Sequence, residues 1–166
     1  MTRIFTLLIV SVFLSLAGFA QTSEVVVDGD IATPFKINAA SFTSMKVIQL
    51  KHNDKEGKEH TYSGISLFDV LTKAGAVPNN QLKGKILTKY LLVSAADGYQ
   101  VVIALPEIDP AYTDKTIILA NQMDGKNLPA NAGPFRLIVP GDKKLARSVM
   151  RVTSLTVLTA KIPIRQ

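Results

Sequence analysis

Hydrophobic and polar positions alternate in short bursts along most of this chain, and helical spacing takes over clearly only once. Glu24-Val25-Val26-Val27-Asp28, followed by Gly29-Asp30, predicts a strand and a turn, and Pro34-Phe35-Lys36-Ile37 continues in extended form. From Met45 to Lys51 the apolar side chains fall at Met45, Val47, Ile48 and Leu50, closer to a period of two than to 3.6. That spacing predicts a strand with one wet face. The charged run from His52 to Glu59 contains Gly57 and reads as a hairpin loop, with the chain returning through His60-Thr61-Tyr62.

Ser66 opens the helix. It is a good N-cap, and Asp69 brings a negative charge to the free amides of the first turn. Leu67, Val70, Leu71 and Ala74 then share one face, Gly75 supplies a C-terminal cap, and Pro78 follows where the helix cannot continue.

Tyr90 to Ala95 and Tyr99 to Leu105 are two β-rich runs joined at Ala96-Asp97-Gly98, where Asp-Gly is a strong hairpin signal. Pro106 to Pro110 reads as a turn or one helical turn, Thr116 to Ala120 as a short apolar strand, and Asp124-Gly125 as another turn. Phe135 to Val139 predicts a buried strand, and Arg151 to Leu158, with Val152, Leu155 and Val157, a last one. Strands outnumber helices, so the expected class is α+β, with mixed, mainly antiparallel sheets and few short helices.

The first twenty residues change the picture of where the chain acts. Arg3 is a positive start, Ile4 to Leu16 an apolar core, and Gly18-Phe19-Ala20 a small-x-small cleavage site, together an export signal. The apolar run is short for a membrane span of about 20 residues. The expectation is a signal peptide over residues 1–20 and a single domain over 21–166, with no membrane span in the mature form and a periplasmic or secreted location. Without the leader the net charge of +6 falls by one. A basic surface attracts anions, but no aromatic-interleaved basic stripe is present, and nucleic acid is not an expected partner.

The chain has no cysteine. Stability must come from a core and not from disulfides, and thiolate chemistry is excluded. No nucleophile triad, phosphate loop or dinucleotide fingerprint appears. Glu107, Asp109 and Asp114 read as solvated carboxylates of a turn. His52 and His60 flank one loop, and two imidazoles alone lack the further ligands a zinc site needs, so both read as surface side chains and no metal site is expected. Pro140-Gly141-Asp142-Lys143-Lys144-Leu145-Ala146-Arg147-Ser148 gathers amides, a guanidinium, a hydroxyl and two ammonium groups after a buried strand, a composition suited to holding an anion.

Four phrases keep an order: Tyr62-Ser63-Gly64-Ile65-Ser66-Leu67, Ala96-Asp97-Gly98-Tyr99, Gly133-Pro134-Phe135-Arg136-Leu137-Ile138-Val139-Pro140-Gly141, and Ala146-Arg147-Ser148-Val149. Together they resemble the molybdopterin-binding domain of the sulfite oxidase family, over roughly the last two thirds of the mature chain. The resemblance implies that fold, a pterin cofactor, and contact between its phosphate end and the last phrase. The cofactor-binding residues it implies are Arg147, Ser148, Gly141 and Lys144, with Tyr99 over the cleft or in the core. It also marks departures. The family's metal-binding cysteine would fall within Lys51 to Lys58, Asn131-Ala132 stands where a histidine is usual, and Leu145 and Met150 replace a glycine and a lysine.

Cofactor-loaded proteins leave the cytoplasm folded through a twin-arginine signal, and Thr2-Arg3-Ile4 is not one. The expectation is an accessory, non-catalytic domain for a pterin or other small anionic ligand, with no molybdopterin carried out. A molybdopterin-dependent oxidoreductase and a cofactor-free protein-interaction module are the alternatives.

Overall fold

The computed structural model describes residues 23–77 and 81–161, so the leader and Pro78 lie outside the described residues. Two five-stranded sheets face each other. The first has the order β2 (Phe35–Ile37), β1 (Val25–Gly29), β10 (Val152–Thr159), β5 (Lys89–Ala95), β6 (Gln100–Ala104). Only the β1–β10 pair in it is parallel. The second runs β3 (Val47–Asn53), β4 (Glu59–Ser66), β7 (Ile118–Met123), β8 (Lys126–Asn127), with β9 (Arg136–Ile138) also pairing β7, all antiparallel. The α+β architecture expected from the sequence is therefore present.

A four-residue helix, α1 (Ser41–Ser44), was not signalled by apolar spacing. It is set by Asn38, whose Oδ1 accepts from the amides of Ala40 at 3.0 Å and Ser41 at 3.3 Å. The longer helix, α2 (Leu67–Ala74), has the expected caps. Ser66 Oγ accepts from Phe68 N at 3.1 Å, and Gly75 takes the left-handed conformation at φ +65° that a side chain would resist.

Leu67, Val70, Leu71 and Ala74 of α2 enter the core between the sheets. There they meet Val25, Val27, Leu91, Val93, Leu155 and Val157 of the first sheet and Ile65, Leu119 and Leu137 of the second. In β10 the register shifts between Val152 and Ser154, which explains why its buried residues step by three before settling to two. A smaller cluster, Tyr62, Ile118, Ala120, Leu128 and Ile138, lies apart from that core, with Ile48, Leu50 and Met123 packed against it.

The charged loop is shorter than its composition suggested. His52 pairs with His60 and Asn53 with Glu59, leaving only Asp54 to Lys58 as the turn. The reason is periodicity: His52 extends the half-buried series Ile48, Leu50 on β3.

Candidate functional site

Two loops face each other beside the second sheet. One is the β3–β4 turn; the other is Pro140 to Leu145, which follows β9. Between them lies a cleft of about 680 Å³, lined among others by His52, Asp54, Lys55, Gly141, Lys143 and Lys144. A neighbouring cleft of about 340 Å³ shares Pro140 and Asp142 and reaches Glu107, Lys115 and Arg147.

The second loop is held from below by its own continuation. Ser148 is buried, its Oγ accepting from Val139 N at 3.1 Å, and Val149 O accepts from Leu137 N at 2.8 Å. Tyr99 is exposed, outside both core and cleft, and its hydroxyl donates to Ala146 O at 3.0 Å. Tyr99 is therefore neither over the cleft nor in the core, where the resemblance implied it. Gly141 and Lys144 line the cleft, whereas Ser148 and Tyr99 spend their polar atoms on the loop's backbone.

Arg147 is the most heavily engaged of the set. Its Nε and Nη2 donate to the two oxygens of Asp142 at 2.8 Å each, and Nη1 donates to Glu107 Oε2 at 2.8 Å. Both carboxylates favour the guanidinium, Asp142 first, and its pKa rises above the ordinary value. Arg147 in turn holds the Asp142 carboxyl below the usual range. Glu107, expected to be a solvated turn residue, also accepts from Ala104 N at 3.1 Å and so ties the end of β6 to this loop. Replacing Arg147 by methionine strands a carboxylate that is only 18% exposed. After allowance for solvent at the rim, a loss of about 1–2 kcal/mol in urea unfolding is expected.

The carboxylates of the larger cleft are both committed inside the chain. Asp142 faces Arg147, and Asp54 Oδ1 accepts from the amides of Glu56 at 3.0 Å and Lys58 at 2.8 Å. Lys51 pairs with Glu59 at 2.7 Å, while Lys143 and Lys144 make no ion pair among the described residues. Positive charge is therefore left over at the wall, an arrangement that attracts small anions.

His52, which lines the cleft, and Arg136, which does not, each enclose a nitrogen, Nε2 and Nε, that has no hydrogen-bond partner among the described residues. Burial, aided by the charge of Arg136, lowers the pKa of His52. Arg136 is half-buried and not a bare surface residue: Nη1 donates to Tyr62 Oη at 3.1 Å, and the guanidinium lies 5.4 Å from the ring centroid. His60 is buried as well, against the surface reading of both histidines. Its ring nitrogens face Asp124 at 2.6 Å and Asp54 at 3.2 Å. Nothing local in the sequence signals either pairing, because Asp124 lies 64 residues away and reads on its own as a turn former.

A thiolate-held molybdenum centre does not fit this donor set. The chain has no cysteine, and no cluster of three metal-ligating side chains exists among the described residues. Of the two histidines, one is clamped by carboxylates and the other encloses its Nε2. Three of the five N–H donors of Arg147 are already taken by Asp142 and Glu107.

No curated protein matches the sequence. In structure the chain is similar to the sulfane dehydrogenase SoxCD from Paracoccus pantotrophus, with a TM-score of 0.64 and 17% identity. The similarity covers 82% of this chain but 38% of that one, and at this identity it shows the fold alone. Among the described residues no helix is long and apolar enough to cross a membrane. Residues 37–163 match the oxidoreductase molybdopterin binding domain, a span containing both sheets' central strands, α2 and both walls of the cleft, and the chain belongs to that family.

Proposed function

We propose that this chain is exported and serves as an accessory molybdopterin-binding-type domain without molybdenum redox chemistry, holding a small anionic ligand in the cleft between the β3–β4 turn and the Pro140–Leu145 loop. The observation that supports this best is the cysteine-free ligand set. Where the family resemblance calls for a soft metal ligand, this chain has a lysine-rich turn beside a desolvated imidazole. In this reading Lys143 and Lys144 supply charge and Gly141, at φ +80°, makes the turn that presents them. Arg147, Ser148 and Tyr99 are positioning residues that hold the loop's shape.

Family membership favours the competing reading, a molybdopterin-dependent oxidoreductase whose metal is held by other ligands. One preparation separates the two. Protein recovered from outside the cytoplasm is expected to begin near Gln21 and, once denatured, to release neither pterin nor molybdenum at one per chain. Stoichiometric molybdenum would overturn the proposal in favour of the oxidoreductase.

A further inference from the structure

The imidazole of His60 joins two turns that are far apart in sequence. Asp54 opens the β3–β4 turn, where its amide donates to Lys58 O at 2.9 Å and its carboxylate gathers the amides of Glu56 and Lys58. Asp124 sits in the β7–β8 turn at φ +52°, accepting from Thr61 N at 2.9 Å through Oδ1 and donating its own amide to Thr61 O at 2.8 Å. Each carboxylate keeps one oxygen for its own anchor and presents the other, Oδ2, to a different nitrogen of His60.

A neutral imidazole has one N–H and one lone pair. It can donate to only one of these carboxylates and must turn its lone pair on the other. An imidazolium donates to both, and both contacts are then charge-assisted. The shorter contact, to Asp124 at 2.6 Å, keeps the remaining proton of a neutral ring on Nδ1, so the state of one proton decides whether the imidazole also donates to Asp54 and tethers the β3–β4 turn. That turn carries Asp54, Lys55 and Gly57 of the cleft wall.

We propose that His60 is a proton-dependent clamp that fixes the Asp54–Lys58 turn, and with it one wall of the anion cleft, when the ring is charged and releases it when the ring is neutral. The clamp stands on the geometry alone; only what the cleft holds rests on the function proposed above.

The surroundings favour the charged ring. The hydrogen bond to Asp124 raises the pKa of His60 most, with partial burial opposing it, Asp54 adding to it, and Lys58 working weakly against it. Tyr62 meets the ring edge-on, its centroid 6.3 Å away, and burial raises its phenol so that it adds no charge. His52, the partner across the ladder, is pushed towards neutrality by burial.

The pH window follows from these directions. His60 is raised above 6.5, so its contribution is complete below 6.5 and is lost as pH rises through the raised value. Asp124 is lowered below 3.8 by its bond to His60, and Asp54, although desolvation opposes it, by the Lys58 amide and His60. Their contribution is complete above 3.8 and is lost as pH falls through the lowered values. The turn is held most firmly in mildly acid solution.

The chain has two histidines, so imidazole NMR resolves both. Titration of the full chain should place the His60 midpoint above 6.5 and that of His52 below it. Amide exchange at Glu56, Gly57 and Lys58, corrected for its intrinsic pH dependence, should quicken by about tenfold as pH passes the His60 midpoint. Asp124→Asn should lower the midpoint, and His60→Gln should leave exchange at the turn independent of pH. Inorganic sulfate, whose charge is constant in this range, should bind the wild type less tightly above the midpoint. A His60 midpoint at or below 6.5, or turn exchange that ignores it, overturns the clamp. If the turn responds as expected but sulfate binds at no pH, the clamp stands and the anion reading of the cleft fails.

Discussion

Leu71→Ala is expected to lower the free energy of unfolding by about 2–5 kcal/mol, the range for removing a buried leucine side chain. Leu71 is 4% exposed and lies on the face of α2 that also carries Leu67, Val70 and Ala74. The helix cannot drift to close the gap. Ser66 pins its start, the amides of Gly75 and Ala76 return to Thr72 O and Leu71 O at 3.0 Å, and Leu67 N donates to Ile117 O at 2.9 Å. A void of about 30 Å³ already borders Leu71, walled in part by Leu82, Leu105 and Ile108, and truncation enlarges it. The check is a urea midpoint that falls while the slope stays constant. A change below about half a kcal/mol would show that this face of α2 is not packed into the core.

Such an effect belongs to the platform and not to the cleft. The core lies between the sheets, whereas the candidate ligand groups sit on two loops beside the second sheet. Loops can vary in charge at small cost to stability. This is how a chain can keep a family's fold while the thiolate expected of its site is missing, as the cysteine-free β3–β4 turn illustrates.

What the sequence made legible was local. Asp97-Gly98 and Asp124-Gly125 are turns, Ser66 and Gly75 cap the helix they were expected to cap, and the strands lie within a few residues of their apolar runs. These features are fixed by neighbours in the chain, so composition and spacing reveal them. The pairings that shape the cleft are not local. Glu107 and Arg147 are 40 residues apart, and His60 and Asp124 are 64 apart. A carboxylate in a turn has the same sequence signature whether it is solvated or clamps a buried histidine. The composition of Pro140 to Ser148 suggested a gathering of polar groups, yet it gave no sign that Asp142 would occupy the guanidinium of Arg147.

Gly64 is constrained by packing and not by a turn, because it lies inside β4 where two backbones nearly touch. A Cβ placed there would stand 2.4 Å from Leu119 O and 2.7 Å from Ala120 Cα, both backbone atoms of β7. No rotamer relieves such a contact. The strands would have to separate just where the β4–β7 register already shifts, between Ser63 and Gly64. Elsewhere in a strand, alanine for glycine gains about 0.5–1 kcal/mol through the unfolded chain. Here that gain is overwhelmed, and Gly64→Ala is expected to cost about 3 kcal/mol or more. The displacement would spread along β4 to Tyr62 and His60, so that Tyr62 loses its hydrogen bond from Arg136 and the clamp on Asp54 and Asp124 loosens with it. Urea unfolding followed by imidazole NMR on whatever folded fraction remains would test both parts. Wild-type stability together with an unchanged His60 signal would mean that β4 and β7 stand further apart than this geometry allows.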